Sequence, residues 1–268
     1  MKEPLVSIIM GVYNGQDTLE DSINSILSQS YDNWEFIICD DCSTDHTWKI
    51  LQEFHEQDSR IVIIHNTQNK RLAASLNECL KIARGKYIAR MDADDISLPQ
   101  RLEKQIHFLE SNPEYDVVGC NRIVFDENGE RGIRKSEEYP DKNILLKDTP
   151  YGHPTIVMKK SVYDALCGYS ESKETMRAED LELWFRFYEH GFRGYNIQET
   201  LYRYREGKND LKKRTVVAGI QTAKVFWNGY KRLKFPWYKR IWVIKPIVAA
   251  LIPHSIMMKY YNSRLSGV

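Results

Sequence analysis

Three carboxylates in four positions, Asp92-Ala93-Asp94-Asp95, directly follow the apolar run Tyr87 to Met91. Crowded carboxylates repel one another, and they stay ionised together at neutral pH when a cation neutralises them. The Asp-x-Asp spacing of Asp92 and Asp94 at a strand end lets two oxygens reach one hard divalent ion, Mg²⁺ or Mn²⁺, with phosphate and water in its remaining positions. A lone Asp-x-Asp is more often a solvated acidic turn, so the surrounding pattern must decide. A second acidic pair, Glu179-Asp180, opens a run in which Leu181, Trp184, Phe185 and Tyr188 share a helical face and Gly191 ends it. The helix dipole favours carboxylates in a first turn, and most of them there do nothing else.

The elements that must position these groups alternate in type. Leu5 to Met10 reads as a buried strand running into the loop Gly11-Val12-Tyr13-Asn14-Gly15. Thr18 with Asp21 predicts a capping box for a helix carrying Leu19, Ile23, Ile26 and Leu27. A second unit pairs the strand Glu35 to Cys39 with a helix bearing Trp48, Leu51 and Phe54. A third pairs Ile61 to His65 with a helix over 72–83 that Gly85 would close as a C-cap. Such alternation predicts an α/β fold, a mostly parallel Rossmann-like sheet with flanking helices. Ligands in these sheets bind at the carboxyl ends of the strands, where Tyr13, Asp40, Asp41, Asp92 and Asp94 all fall. An aromatic ring there can stack on a base, and Asp41 can accept a ring N–H. Taken singly, Tyr13 could simply pack and Asp41 could cap a helix. No G-x-G-x-x-G and no Walker lysine loop is present, which argues against dehydrogenases and P-loop NTPases. Cys39-Asp40-Asp41-Cys42 has redox or zinc spacing, but two carboxylates disfavour a thiolate and no second Cys/His pair completes a tetrahedral site; Cys39 is read as strand packing.

Val6 through Asn14, Asp40 through Asp45 and Tyr87 through Asp95 together resemble the signature segments of family 2 glycosyltransferases with the GT-A fold. The resemblance spans roughly the first two hundred residues, and the ordered set is far more specific than any one motif. It implies that Tyr13 stacks on uracil, Asp41 binds the uracil ring, Asp92 lies near ribose and metal, and Asp94 ligates the metal. It also implies that Asp180, in the Glu-Asp pair, is the catalytic base of an inverting sugar transfer. Family patterns commonly carry Gly where this chain has Cys42 and Arg71, and Arg71 becomes a candidate ligand of the donor's phosphates. Gly152-His153-Pro154-Thr155 resembles a segment bordering the acceptor pocket, where His153 is given a structural role ahead of a chemical one. Arg205 stands where many relatives carry His and is a candidate phosphate contact. The polar stretch Ser136 to Thr149 reads as an acceptor-side loop.

Charge divides the chain. From Leu211 onward there are twelve Lys/Arg and no Asp/Glu, so residues 1–210 carry 26 − 37 = −11. The domain expectation follows this split: a nucleotide-sugar-dependent domain over 1–210, and a basic, aromatic, helical tail over 211–268. Ile241 to Ile252, interrupted by Lys245 and Pro246, is short of the ~20 apolar residues that span a bilayer. Cations and aromatics flanking a short apolar helix suit an interfacial anchor on an anionic leaflet; a helical appendage packed on the body with a solvated basic face is the competing reading. Nucleic acid is not an expected partner. Five scattered cysteines suit a reducing cytoplasm, and Val6 to Met10 is too short for a secretory signal. The expectation is a cytoplasmic enzyme on the inner membrane face, using Mn²⁺ or Mg²⁺ to move sugar from a UDP-sugar to a lipid-linked or oligosaccharide acceptor of surface polysaccharide. A sugar nucleotidyltransferase and an inactive nucleotide-binding scaffold are the alternatives. The first would want a glycine- and basic-rich phosphate loop that Val12-Tyr13-Asn14 does not provide.

Overall fold

The computed structural model describes residues 3–207 and 215–266. The first half repeats a strand and a helix: β1 (Val6–Val12), α1 (Leu19–Leu27), β2 (Trp34–Asp40), α2 (Thr47–Gln57), β3 (Ile61–His65), α3 (Leu72–Ile82) and β4 (Tyr87–Arg90). Next come the two-residue β5 (Ile96–Ser97), α4 (Arg101–Ser111), β6 (Val117–Asp126), β7 (Gly129–Arg134), β8 (Val157–Lys159), α5 (Lys160–Ala165), α6 (Glu179–Glu189) and β9 (Gly194–Arg205). Beyond them lie α7 (Val216–Arg232), a 3₁₀ segment (Trp237–Ile244), α8 (Lys245–Leu251) and α9 (His254–Ser263).

The strands form one sheet in the order β3-β2-β1-β4-β8-β6-β9-β5, with β7 on the outer part of β6. β3, β2, β1 and β4 are mutually parallel, as strand-helix alternation requires, whereas β8 runs antiparallel to both β4 and β6. Period-two alternation splits β1 between two cores. Ile8 and Met10 pack with α1 and α4 residues, while Ile9 faces α3, α5 and α6.

Two local expectations fail. Thr18 is the N-cap residue of α1 but makes no capping bond; its hydroxyl donates instead to the carbonyl of Ala93, 3.0 Å away. Gly85 does not cap α3, which ends on the extended Ala83. A Cβ on Gly85 would lie 2.5 Å from the Ser7 nitrogen, so glycine is needed there for close approach to β1. The expected boundary at Asp210/Leu211 lies outside the described residues. Past it, Val225, Tyr230, Leu233 and Phe235 join the same core as α6, and the Tyr230 hydroxyl donates to the Leu145 carbonyl at 3.2 Å.

Candidate active site

The sequence-derived candidates Tyr13, Asp41 and Arg71 follow the carboxyl ends of parallel strands. Tyr13, Asp41, Arg71 and Glu179 line one open cleft of about 1240 Å³. The Asp92–Asp95 turn is built against the same loops. A Cβ on Gly15 would come within 3.9 Å of the Ala93 Cβ, and Arg205, next to the cleft residue Tyr204, donates from Nε to the Asp94 carbonyl at 2.9 Å.

Tyr13 is half exposed, with a ring free to be covered by a flat ligand. Asp41 is buried and already engaged: Oδ1 accepts from Asn66 Nδ2 (2.9 Å) and the Lys70 amide (2.8 Å), and Oδ2 from the Arg71 amide (2.6 Å). These bonds pin the loop that enters α3. Arg71 there has φ 74° and ψ 168°, a region populated almost solely by glycine, and Cys42 has φ 63°. Both departures from the family pattern noted above are thus strained backbone positions. Cys39 is buried in β2, its thiol pushed up to about 11 by burial first and then by Asp41 and Asp40, which is structural packing. Every cysteine is free.

The acidic turn is sorted by burial. Asp94 is exposed and Asp92 half-buried, while Asp95 is fully buried. Desolvation, then Asp92 and Asp94, raises the Asp95 carboxyl well above its ordinary value, and its Oδ1 accepts the Arg205 amide at 2.7 Å. Asp95 therefore anchors the turn to the end of β9, which makes Asp92 and Asp94 the candidates for binding an ion. Two carboxylates make an all-oxygen set that fits a hard divalent cation if a diphosphate and water complete the shell. Among the described residues no group of three His, Cys, Asp or Glu could hold an ion unaided.

Arg90, in β4 and 1% exposed, ties this turn to the second acidic pair. Its Nη2 lies 2.5 Å from Asp92 Oδ1, Nη1 donates to the Met91 carbonyl, and Nε has no partner. Its charge is also felt at Glu179, Asp180 and His153. Burial, with Asp180 next, pushes Glu179 up to about 7; burial, opposed by the Leu181 amide at 2.7 Å, raises Asp180 as well. His153 is driven down to about 3 by burial and Arg90, and its Nε2 sits 2.9 Å from the Tyr169 hydroxyl. A lowered value and a bond into the Tyr163–Tyr169 hydroxyl pair favour the structural role for His153.

Sequence reasoning missed most of the opposite wall. The loop carrying Ser170, Lys173 and Arg177 lines the cleft, and so do Ala218, Gly219 and Thr222 of α7, Pro246, Ala249 and Ala250 of α8, and Tyr261 of α9. Lys70 lines it too, on the strained loop. The signal available was the positive charge of Lys173 and Arg177 just ahead of Glu179-Asp180.

A parallel sheet with a nucleotide-type edge, an Asp-x-Asp turn after the fourth strand and an acidic pair at a helix start define a GT-A type glycosyltransferase. The chain belongs to glycosyl transferase family 2, whose family model matches residues 7–166. It is similar to "Putative glycosyltransferase EpsE" of Bacillus subtilis (strain 168), 49% identical over 264 residues, covering 98% of this chain and 95% of that one. The UDP-Glc:alpha-D-GlcNAc-diphosphoundecaprenol beta-1,3-glucosyltransferase WfaP of Escherichia coli is 34% identical over 211 residues, covering 78% of this chain and 81% of WfaP. Among solved structures, the mannosyltransferase PcManGT from Pyrobaculum calidifontis, in complex with GDP-Man and Mn²⁺, matches with TM-score 0.67 at 17% identity. That match covers 98% of this chain and 81% of that one.

Proposed function

We propose that this glycosyltransferase is a metal-dependent, inverting enzyme that moves a hexose from a UDP-sugar to a lipid-diphosphate-linked glycan precursor of surface polysaccharide. The observation that carries the reading is the convergence of Tyr13, Asp41 and Arg71 on one cleft with Glu179, beside the Asp92–Asp95 turn. UDP and the lipid-linked acceptor are favoured because WfaP has them in its name, and Mn²⁺ because PcManGT was solved with it. Tyr13 covers the base, and the Asp41-pinned loop presents Lys70 and Arg71 to the phosphates. Arg205, fixed at the Asp94 carbonyl, stands ready for the same anion. A divalent cation on Asp92 and Asp94 would supply Lewis-acid stabilisation of the departing diphosphate. Asp180 takes the proton of the acceptor hydroxyl as that oxygen attacks C1, so one base suffices and no leaving-group acid is needed. Glu179 is the second reading for the base, because it lines the cleft itself. The basic tail holds the enzyme at the cytoplasmic membrane face, where such an acceptor resides.

The test is calorimetry of UDP with Mn²⁺ and with EDTA, alongside turnover of UDP-glucose. Asp94→Ala should abolish the Mn²⁺-dependent part of UDP binding with the fold retained, since Asp94 is an exposed strand-end residue. Equal UDP affinity in the variant would remove the cation from Asp94. Binding of UDP without any turnover of sugar nucleotides would make the chain a nucleotide-binding scaffold.

A further inference from the structure

We infer that the wall of the cleft built by α7 and α8 receives the hydrocarbon chain of the acceptor lipid, with its diphosphate toward Lys173. The inference rests on the proposed lipid-linked acceptor and deepens it by assigning that lipid a place. The first argument is size. A cleft of about 1240 Å³ exceeds the ~300–1,000 Å³ of an ordinary small-ligand pocket, so it has room beyond one nucleotide sugar. The second is that its lining is divided by chemistry. One part holds the ring, carboxylate and cations of Tyr13, Asp41, Lys70 and Arg71; the other holds Ala218, Gly219, Pro246, Ala249 and Ala250, with the hydroxyls of Thr215 and Thr222 among them.

That second side is a firm surface. A Cβ on Gly219 would lie 2.9 Å from the Pro246 carbonyl and 3.2 Å from the Ile247 Cα, so α7 and α8 approach as closely as glycine permits. Side chains this small offer an even surface suited to a slender apolar chain. The same two helices carry exposed Val217, Ile220, Val248 and Leu251, apolar groups left in water beside the residues that line the cleft. Cationic Lys173 on the same cleft complements a diphosphate head.

The experiment compares farnesyl diphosphate with inorganic diphosphate as probes, each titrated into the full chain in the presence of UDP and Mn²⁺. Farnesyl diphosphate should bind at least tenfold more tightly. In Ala249→Trp, which fills the wall, and Ala218→Glu, which charges it, that preference should fall to about one with UDP affinity unchanged. Both positions are half-exposed, so neither change invades the core. No preference in the unaltered protein, or a preference kept in both variants, overturns the inference. A second arm measures transfer to a diphosphate-linked acceptor sugar on a long and on a short alkyl chain. Equal kcat/KM for the two overturns the lipid wall and leaves the transferase reading standing. If neither is glycosylated while farnesyl diphosphate still binds through the wall, the wall stands and the acceptor assignment falls.

Discussion

Arg71 concentrates the tension between folding and binding at one residue. A non-glycine residue at its φ and ψ costs of order 1–3 kcal/mol, and the Asp41 carboxylate holds it there through two backbone amides. Arg71→Gly should therefore raise the melting temperature and weaken UDP-sugar binding, because the strain goes and so does the cation proposed to face the donor. A variant that binds UDP-sugar as well as the unaltered chain would make Arg71 a structural accident. The acidic pair gives a second residue-scale expectation. Because Glu179 has a folded value of about 7, raised from 4.5, its contribution to stability is fully present below pH ~4.5 and is lost as pH rises through 7. Glu179→Gln should accordingly stabilise the protein at pH 8 and have little effect near pH 4.5, as read by thermal melts at the two values. Asp180→Asn should reduce transfer by roughly 10²–10⁴-fold with donor affinity kept. A residual rate within tenfold would hand the base role to Glu179. Sequence made both acidic pairs legible because carboxylate spacing is local. It could not rank Asp94 against Asp95, since their difference in burial is set by β9, a hundred residues away.

At the scale of elements, the strand-loop-helix units up to β4 were readable because each hydrophobic face is formed by near neighbours in the chain. β9 was not, since Tyr195, Gln198, Glu199 and Arg203 interrupt its apolar pattern and its parallel pairing with β6 is non-local. Yet β9 delivers Arg205 to the acidic turn, so the site depends on an element that local periodicity hides. The long helix α7 was anticipated only as part of a tail. Gly229 seats it on α6: a Cβ there would fall 2.3 Å from the Phe185 ring, and that ring is 1% exposed with nowhere to move. Gly229→Ala should cost ~1–3 kcal/mol by overpacking. Since α7 also lines the cleft, the variant should lose acceptor turnover before it loses UDP binding. A melting temperature unchanged within a degree would show that α7 is not fixed through this contact.

For the molecule as a whole, the decisive quantity is the separation of charge. Residues 1–210 carry −11 and residues 211–268 carry +12, so an anionic surface repels one part and attracts the other. Among the described residues no helix is long and apolar enough to cross a membrane; attachment at its surface is the proposed way to a lipid-linked acceptor. The tail has the side chains for it: Trp237 is 83% exposed, with Tyr238, Ile241, Trp242 and Ile244 also exposed along the 3₁₀ segment. Large apolar groups left in water on one segment mark an interaction site, and aromatic rings beside Lys and Arg match the chemistry of a bilayer interface. Near such a surface each cation contributes ~1 kcal/mol, so even half of the twelve would hold the enzyme at low salt, and added salt would release it. Because Tyr230 and Phe235 belong to the core, truncation at residue 210 would confound binding with unfolding, and the full chain must be used. It should co-sediment with vesicles containing phosphatidylglycerol and not with pure phosphatidylcholine, and Trp237→Ala with Trp242→Ala should weaken retention while leaving UDP affinity intact. Equal sedimentation with both vesicle types, or undiminished retention of the double variant, would mean that these rings cover no membrane and that the acceptor is brought to the cleft by another surface.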